Sequence, residues 1–122
     1  MCKSDLEYFT KSFFDTFNIP IRELTLDDRD FLEQILLEDY WTLEYMKDQW
    51  CSVIAKHVHY NDSVENYINN DIEVPENLEI WIEDYKYTGE GDSCLTALLN
   101  LYLIAKPILS KEVLISIKER FS

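Results

Sequence analysis

Hydrophobic side chains recur every three or four residues along much of the chain, and this spacing predicts α-helices. The first predicted helix covers about 4–17 and is ended by "NIPI" (18–21). A second helix is predicted to begin after Thr25, whose hydroxyl can cap it, with Asp27 and Asp28 placed favourably in the first turn. The buried stripes of the two helices are predicted to be Leu6, Phe9, Phe13 and Phe17, and Phe31, Leu32, Ile35 and Leu36.

The stretch from Leu26 to Tyr60 contains neither glycine nor proline. One helix of that length would be unusual in a globular domain. We therefore expect a break near Asp39–Thr42, followed by a further helix. The residues of that helix that face inward are predicted to be Leu43, Met46, Trp50, Ile54 and either His57 or Val58.

A short helix is predicted to open at Asp62, because Asp62 and Glu65 have the spacing of a capping box. Its apolar residues are Val64, Tyr67 and Ile68.

The stretch "DIEVPENLEIWIEDYKY" (71–87) fits two kinds of structure. One set of its apolar residues alternates as in a strand, and another has helical spacing. The alternating set is Leu78, Ile80 and Ile82, and the helical set is Leu78, Trp81, Ile82 and Tyr85. Pro75 suits a first helical turn, and Gly89 or Gly91 suits a helix exit. We predict a helix over 76–87 and keep a short strand near 78–83 as the alternative.

The last third of the chain has the clearest helical pattern. Asp92 or Ser93 is predicted to cap a central helix that Pro107 ends, and Ser110 to cap a final helix. The apolar face of the central helix comprises Leu95, Leu98, Leu99, Tyr102 and Leu103, widened by Leu101 and Ile104. The final helix is predicted to dock through Val113, Leu114, Ile117 and Phe121.

These elements predict a mainly α fold, a single-domain bundle of about five to seven helices over residues 1–122. The chain length matches one ordinary domain. With 47% hydrophobic residues the chain can bury a core. Its 2 glycines and 3 prolines are too few for a turn-rich β-sandwich, which needs a turn every 8–12 residues or so.

The cysteines and the apolar stretches predict a cytoplasmic protein. Cys2, Cys51 and Cys94 are odd in number, and no two have the spacing of a zinc or redox motif, as expected in a reducing compartment. Acidic residues interrupt "MCKSDLEYFT" where a signal peptide would be apolar. The longest apolar run, "CLTALLNLYLIA" (94–105), is too short to span a bilayer.

Charge is the strongest compositional signal, because the net charge is −13 and is unevenly distributed. Residues 62–92 contain ten acidic residues and one basic residue, and residues 23–48 contain nine and two. Such a field repels nucleic acid and anionic lipid surfaces, and it attracts basic proteins. We therefore expect a basic protein partner, with no nucleic acid and no membrane bound. A solvated face that only maintains solubility is the alternative reading of the same charges.

No residue pattern predicts catalysis, a metal or a cofactor. His57 and His59 would share a face on a strand and could then bind a metal, but on the predicted helix they point apart. Cys51 lies six residues from His57 without other support for a catalytic pair, and we interpret it as a buried small hydrophobe. The glycine-bearing "YTGEGDS" (87–93) lacks the ending of a phosphate loop and is interpreted as a connector. We expect no enzymatic activity.

The acidic stretches "ELTLDDRDFLEQILLEDYW" (23–41) and "DIEVPENLEIWIEDYKY" (71–87) resemble, in general character, those of bacterial immunity proteins of the colicin and contact-dependent inhibition type. That resemblance implies a small protein that neutralises a cognate nuclease toxin. Exposed acids would pair with the toxin's basic residues, and aromatic side chains would anchor the contact. The predicted binding residues are Asp62, Glu65, Asp71, Glu73, Glu76, Glu79, Trp81, Glu83, Asp84, Tyr85 and Tyr87.

The same sequence features are compatible with two other binding functions. A helical adaptor or assembly subunit would bind through an apolar groove along 95–104, and its acidity would serve only solubility. A phage-encoded mimic of nucleic acid would use the acidic surface to block a host enzyme. An enzyme would instead require a cleft that joins His57 or Cys51 to several of the acids.

Overall fold

Helices and a three-stranded antiparallel sheet together form the fold. The structure, a computed structural model, describes residues 5–38, 41–48 and 50–122, with only the backbone of Asp5 and Trp41. In chain order the described elements are α1 (Asp5–Phe17), α2 (Leu26–Glu38), β1 (Trp41–Lys47), β2 (Cys51–Tyr60), α3 (Asp62–Asn69), β3 (Trp81–Gly91), α4 (Cys94–Ala105), a 3-10 turn (Lys106–Ile108) and α5 (Lys111–Phe121).

The sheet shows that the predicted mainly α bundle is wrong. The described residues are 52% helical and 24% strand, so the fold is mixed α and β. The helix predicted beyond the break is instead the hairpin of β1 and β2. The helix predicted over 76–87 is replaced by a strand that begins at Trp81 and runs through Gly91. The predicted break near Asp39–Thr42 begins at two residues, Asp39 and Tyr40, that lie outside the described part of the chain.

The register of the sheet determines which side chains share a face. The strand order is β1-β2-β3, so β2 is central and both of its pairings are antiparallel. Directly opposed residues project to the same side. One face therefore carries Leu43 and Tyr45 of β1, Cys51, Val53, Ala55 and His57 of β2, and Tyr85, Tyr87, Gly89 and Gly91 of β3. We call this the inner face, because Val53 and Ala55 are buried in the core.

Helix α4 covers part of the inner face. It contacts β2 and β3 and also packs against α1 and α2, which confirms the prediction of a central helix. Side chains of the inner face become more exposed away from α4: Val53 is 0% exposed, whereas the side chains of His57 and His59 are 30% and 40% exposed. The ends of β2 and β3 around His59 and Trp81 therefore project beyond the helical layer.

The close approach of α4 to the sheet depends on the two glycines of β3. A Cβ atom on Gly89 would collide with the Ala97 carbonyl and lie 2.5 Å from the Leu101 nitrogen. One on Gly91 would lie 2.5 Å from Thr96 Cγ2. The stretch 87–93, which was interpreted as a connector, is thus mainly strand. Its two glycines allow α4 to pack closely on the sheet.

The helical predictions outside the sheet are confirmed in their main features. Helix α1 spans Asp5–Phe17, and residue 4 of the predicted helix lies outside the described residues. Thr25 caps α2, since its hydroxyl accepts from the Asp28 backbone N–H at 3.3 Å. Ser93 and Ser110 cap α4 and α5. The buried faces are as predicted in most positions, but Phe14 is buried without having been predicted and Ile104 is 44% exposed. The predicted residues that lie in the core are Phe13, Leu32, Ile35, Leu36, Leu98, Leu99, Leu101, Tyr102, Val113, Ile117 and Phe121.

A buried carboxylate ties the second helix to the last one. Asp28, 2% exposed, accepts from Arg22 Nη1 at 2.8 Å and from Arg120 Nη2 at 3.3 Å. The same carboxylate accepts from the Thr25 backbone N–H at 2.8 Å. The Arg22 hydrogen bonds are the largest cause that holds the pKa of Asp28 well below its usual range. Arg120 also lies over the ring of Phe31, with its Cζ atom 5.0 Å from the ring centroid.

Among the described residues, no helix is both long enough and apolar enough to cross a membrane.

Candidate protein-binding surface

Residues 61–80 connect the end of β2 to the start of β3 outside the sheet, and we call them the acidic segment. The Asn61 backbone N–H donates to the Ile80 carbonyl at 2.9 Å, which joins the two ends. The segment contains no Lys, Arg or His. Its acidic residues are all exposed, and they are Asp62, Glu65, Asp71, Glu73, Glu76 and Glu79.

Local hydrogen bonds shape the acidic segment. Asn61 caps α3 by accepting from the Ser63 N–H at 2.9 Å, so the cap is one residue earlier than the predicted Asp62. Helix α3 ends at Asn69, and Asn70 is its C-cap. The next residue, Asp71, has a left-handed φ of 54°, and the Ile72 N–H donates to the Tyr67 carbonyl at 2.8 Å. This is a Schellman ending with aspartate where glycine is usual. The start and the end of α3 therefore determine where Asp62 and Asp71 lie in the acidic segment.

An aromatic pair stands where the acidic segment joins the sheet. Tyr60 and Trp81 are paired across β2 and β3, and their rings stack with centroids 4.2 Å apart. They are 46% and 54% exposed. Trp81 was predicted as a binding residue; Tyr60 was not, because only the strand register brings it to Trp81. Other exposed apolar side chains of the acidic segment are Ile68, Ile72 and Ile80.

Glu83 extends this arrangement along β3. It pairs with Val58, two residues from Trp81 on the same strand, and is exposed. We call the six acids of the acidic segment, Glu83 and the Tyr60–Trp81 stack the acidic aromatic surface. The nearby Lys56 is engaged by another acid, since its Nζ lies 3.0 Å from Glu44 Oε1. Glu44 first, and Glu83 to a smaller extent, raise the pKa of Lys56.

Asp84 is separated from the acidic aromatic surface by a β-bulge. The register shifts between His57 and Val58, so that Asp84 of β3 has no paired residue on β2. Its Oδ2 lies 2.7 Å from His59 Nε2 and 3.9 Å from His57 Nδ1. The histidines belong to the inner face and Tyr60 to the opposite one, because successive strand residues alternate. Asp84 therefore lies against the histidines of the inner face, whereas Glu83 and Trp81 lie on the opposite face.

The histidine pair corrects the prediction that His57 and His59 point apart on a helix. Both lie on β2 and share a face, with ring centroids 6.3 Å apart. His59 Nδ1 is 3.0 Å from the Tyr60 carbonyl, and the neighbouring Asp84 carboxylate raises the pKa of His59. Within the described ranges, no three His, Cys, Asp or Glu side chains are arranged to hold a metal ion.

The two predicted tyrosines lie on the inner face. Tyr87 is half-buried and packs against the core, and Tyr85 is exposed beside His57, with ring centroids 6.1 Å apart. Neither shares a face with Trp81. Of the eleven predicted binding residues, eight therefore form the acidic aromatic surface, and Asp84, Tyr85 and Tyr87 do not.

The structure also places the residues on which the catalytic and adaptor alternatives depend. Cys51 and His57 occupy one strand and are separated by roughly 20 Å, at about 3.3 Å per residue. Along 95–104, Leu98, Leu99 and Leu101 are each 0% exposed and belong to the core, whereas Ile104 is 44% exposed. A groove of about 600 Å³ lies elsewhere, between α1 and residues 21–24.

Comparison with known proteins adds no relative: no family model matches the chain, and neither a curated protein nor a solved structure is significantly similar to it.

Proposed function

We propose that this chain is an acidic protein-binding inhibitor that covers the basic surface of a partner. The partner would be a nuclease toxin, as in toxin–immunity pairs, and binding would occur in the cytoplasm. One observation carries the proposal: the closed acidic segment presents six exposed carboxylates without a basic residue, beside the exposed stack of Tyr60 and Trp81.

The chemistry of such a surface suits a partner that binds nucleic acid. A nuclease uses lysines and arginines to bind phosphates, and the same groups form charge-assisted hydrogen bonds with carboxylates. Contact with them would also relieve the mutual repulsion of the acids. Because the acids are exposed, their field would raise the association rate, most strongly at low salt.

The aromatic stack would supply the apolar part of the contact. Tyr and Trp are the residue types that most often dominate binding energy, and they do so when a partner covers them. Ile80 precedes Trp81 and is also exposed. Inhibition would then be steric, because the partner's basic surface is covered and no bond is made or broken.

The test is an affinity capture of the tagged protein from its native cell extract, at about 50 mM and about 500 mM salt, since exposed charges are screened over a few ångströms at the higher value. We expect one basic partner that is retained at low salt and released at high salt. The purified chain should then inhibit cleavage of nucleic acid by that partner.

Two matched variants make the test specific. Glu73→Lys/Glu76→Lys/Glu79→Lys reverses charges within the acidic segment and should abolish capture and inhibition. Asp15→Lys/Glu38→Lys/Glu119→Lys reverses the same number of exposed charges on helices outside it. Circular dichroism should show both to be folded. Equal capture by the two variants would refute the proposed surface, and a partner without affinity for nucleic acid would refute the proposed partner class.

A mimic of nucleic acid that blocks a host enzyme would use the same surface. The identity of the captured partner, toxin or host enzyme, separates that function from immunity.

A further inference from the structure

Two cysteines that are far apart in the sequence meet at the junction of the sheet and α4. Cys51 is the first residue of β2, and Cys94 is the first residue of α4. Their Sγ atoms lie 3.2 Å apart, and both thiols are free. The absence of a sequence motif therefore does not exclude a pair of reacting thiols here.

The fold produces this contact in two steps. Cys51 is opposite Gly91 in the sheet, and the chain turns after Gly91 to begin α4 at Cys94. Gly91 lets the helix start close to the strand, since a Cβ there would meet Thr96. The contact thus follows from the strand register and from the packing of α4.

We propose that Cys51 and Cys94 are a redox modification site and form a reversible intramolecular disulfide that links β2 to the start of α4. A disulfide has an S–S distance near 2.05 Å, so the sulfurs must approach by roughly 1 Å. This approach is small because the two sulfurs are already in contact. The inference is independent of the proposed partner binding.

The two thiols differ in access, which assigns them different roles. Cys51 is 6% exposed, and burial is the largest cause that raises the pKa of its thiol to about 11. Cys94 is half-buried and lines an open cavity of about 200 Å³ together with Arg29, Glu33, Tyr45 and Lys47. Charge does not distinguish the two thiols, because Arg29 is paired with Asp30 at 3.0 Å, whereas access does. Cys94 is therefore the thiol that reacts first, and Cys51 resolves the intermediate.

Oxidised glutathione is an oxidant of the right chemical class. The Cys94 thiolate attacks one sulfur of the glutathione disulfide, forms a mixed disulfide and expels one glutathione thiolate. Cys51 then loses its proton and attacks Cys94 Sγ, which expels the second glutathione thiolate. The protein loses two electrons and two protons, and one glutathione disulfide becomes two glutathione thiols. An excess of reduced glutathione reverses both steps.

The bond would join two cysteines that are 43 positions apart, and the loop it closes includes the acidic segment and β3. A cross-link of this span restricts the unfolded chain and stabilises the native one. For a chain of this size the melting temperature should rise by on the order of 10 °C.

The test uses the full chain with Cys2→Ser, so that Cys51 and Cys94 are its only cysteines. The reduced protein is equilibrated with oxidised and reduced glutathione at several ratios, trapped with a maleimide and examined by intact mass and peptide mapping. We expect a species that lacks two hydrogens, takes up no maleimide and gives a Cys51–Cys94 linked peptide. Its melting temperature should exceed that of the reduced form.

A resolving-cysteine variant tests the assigned order. Cys51→Ala should accumulate a glutathione adduct on Cys94, because the second step is removed. The inference is overturned if the parent chain keeps both thiols at oxidising ratios, retains a stable glutathione adduct, or forms only disulfides between chains. Since these outcomes are read on the parent, they hold even if the variant fails to fold.

Discussion

The rings of Tyr60 and Trp81 stack with their centroids 4.2 Å apart, across the two strands that the acidic segment connects. The stack is adjacent to the hydrogen bond from Asn61 to Ile80. It can therefore contribute both to closing the segment and to an exposed apolar anchor for a partner.

These two contributions predict separable effects for substitutions of Trp81. Trp81→Ala should lower the free energy of unfolding by about 1 kcal/mol, the size of an aromatic pair, and weaken partner binding by about 30-fold or more. Trp81→Phe is the matched control, because it keeps a ring for stacking and should retain most stability. Urea unfolding and calorimetric titration with the captured partner measure the two quantities. Unchanged affinity in Trp81→Ala would remove the stack from the proposed interface.

The buried Asp28 predicts a large loss of stability and a change in its pH dependence. Asp28→Asn leaves Arg22 and Arg120 without their shared carboxylate and should cost about 3 kcal/mol, as for other broken buried pairs. Since the pKa of Asp28 is lowered in the native state, its contribution is present above the unfolded pKa of about 4 and is lost as pH falls below that value.

Urea unfolding from pH 7 to pH 3 checks this prediction. The parent should lose stability through the acid range more steeply than Asp28→Asn. Asp30→Asn is the control, because the Asp30 side chain is 63% exposed and its pair with Arg29 is a surface contact. A similar loss in both variants would mean that the buried position of Asp28 is unimportant.

The close contact between Gly89 and α4 predicts that a single added methyl group at this position destabilises the packing of α4 on the sheet. Gly89→Ala should destabilise the protein by about 1–3 kcal/mol, because the added Cβ collides with the backbone of α4 rather than with a mobile side chain. The neighbouring Thr88→Ala is the control, since Thr88 is exposed. Thermal unfolding of the two variants measures the difference. An unaffected Gly89→Ala would show that α4 can move away at little cost.

Asp84 predicts the direction in which the His59 titration moves. In the parent, Asp84 favours protonated His59, so Asp84→Asn should lower the pKa of His59. The part of stability that depends on this pair is present at low pH and is lost as pH rises through the His59 pKa. Ring resonances in NMR spectra give the titration directly, with Glu83→Gln as the control on the other face. An unchanged His59 titration in Asp84→Asn would show that the 2.7 Å contact is not maintained in solution.

The helices could be predicted because their signals are local. Thr25, Ser93 and Ser110 each mark a helix start by their own hydroxyl, and the apolar spacing that follows each one places the buried face. The hairpin of β1 and β2 could not be predicted in this way. The sequence between Lys47 and Cys51 contains no glycine or proline, and the apolar residues of the two strands also satisfy a helical spacing.

Only part of the candidate surface could be predicted, because only part of it depends on local sequence. Its carboxylates are visible in the sequence, because acidic residues remain exposed in almost any fold. The partner of Trp81 and the separation of Asp84 from Glu83 depend on the register and on one bulge. A residue-by-residue pattern does not contain that information, since a shift of one position exchanges the two faces of a strand.

The amino-acid sequence by itself determined the concentration of negative charge, the helix starts and the apolar faces of α1, α2, α4 and α5, because each depends on neighbouring residues alone. Only the tertiary structure decided that residues 41–60 and 81–91 are strands, that Tyr60 stacks on Trp81, and that Cys51 meets Cys94. The physical reason is that strand pairing draws its hydrogen bonds and its packing from residues distant in the chain.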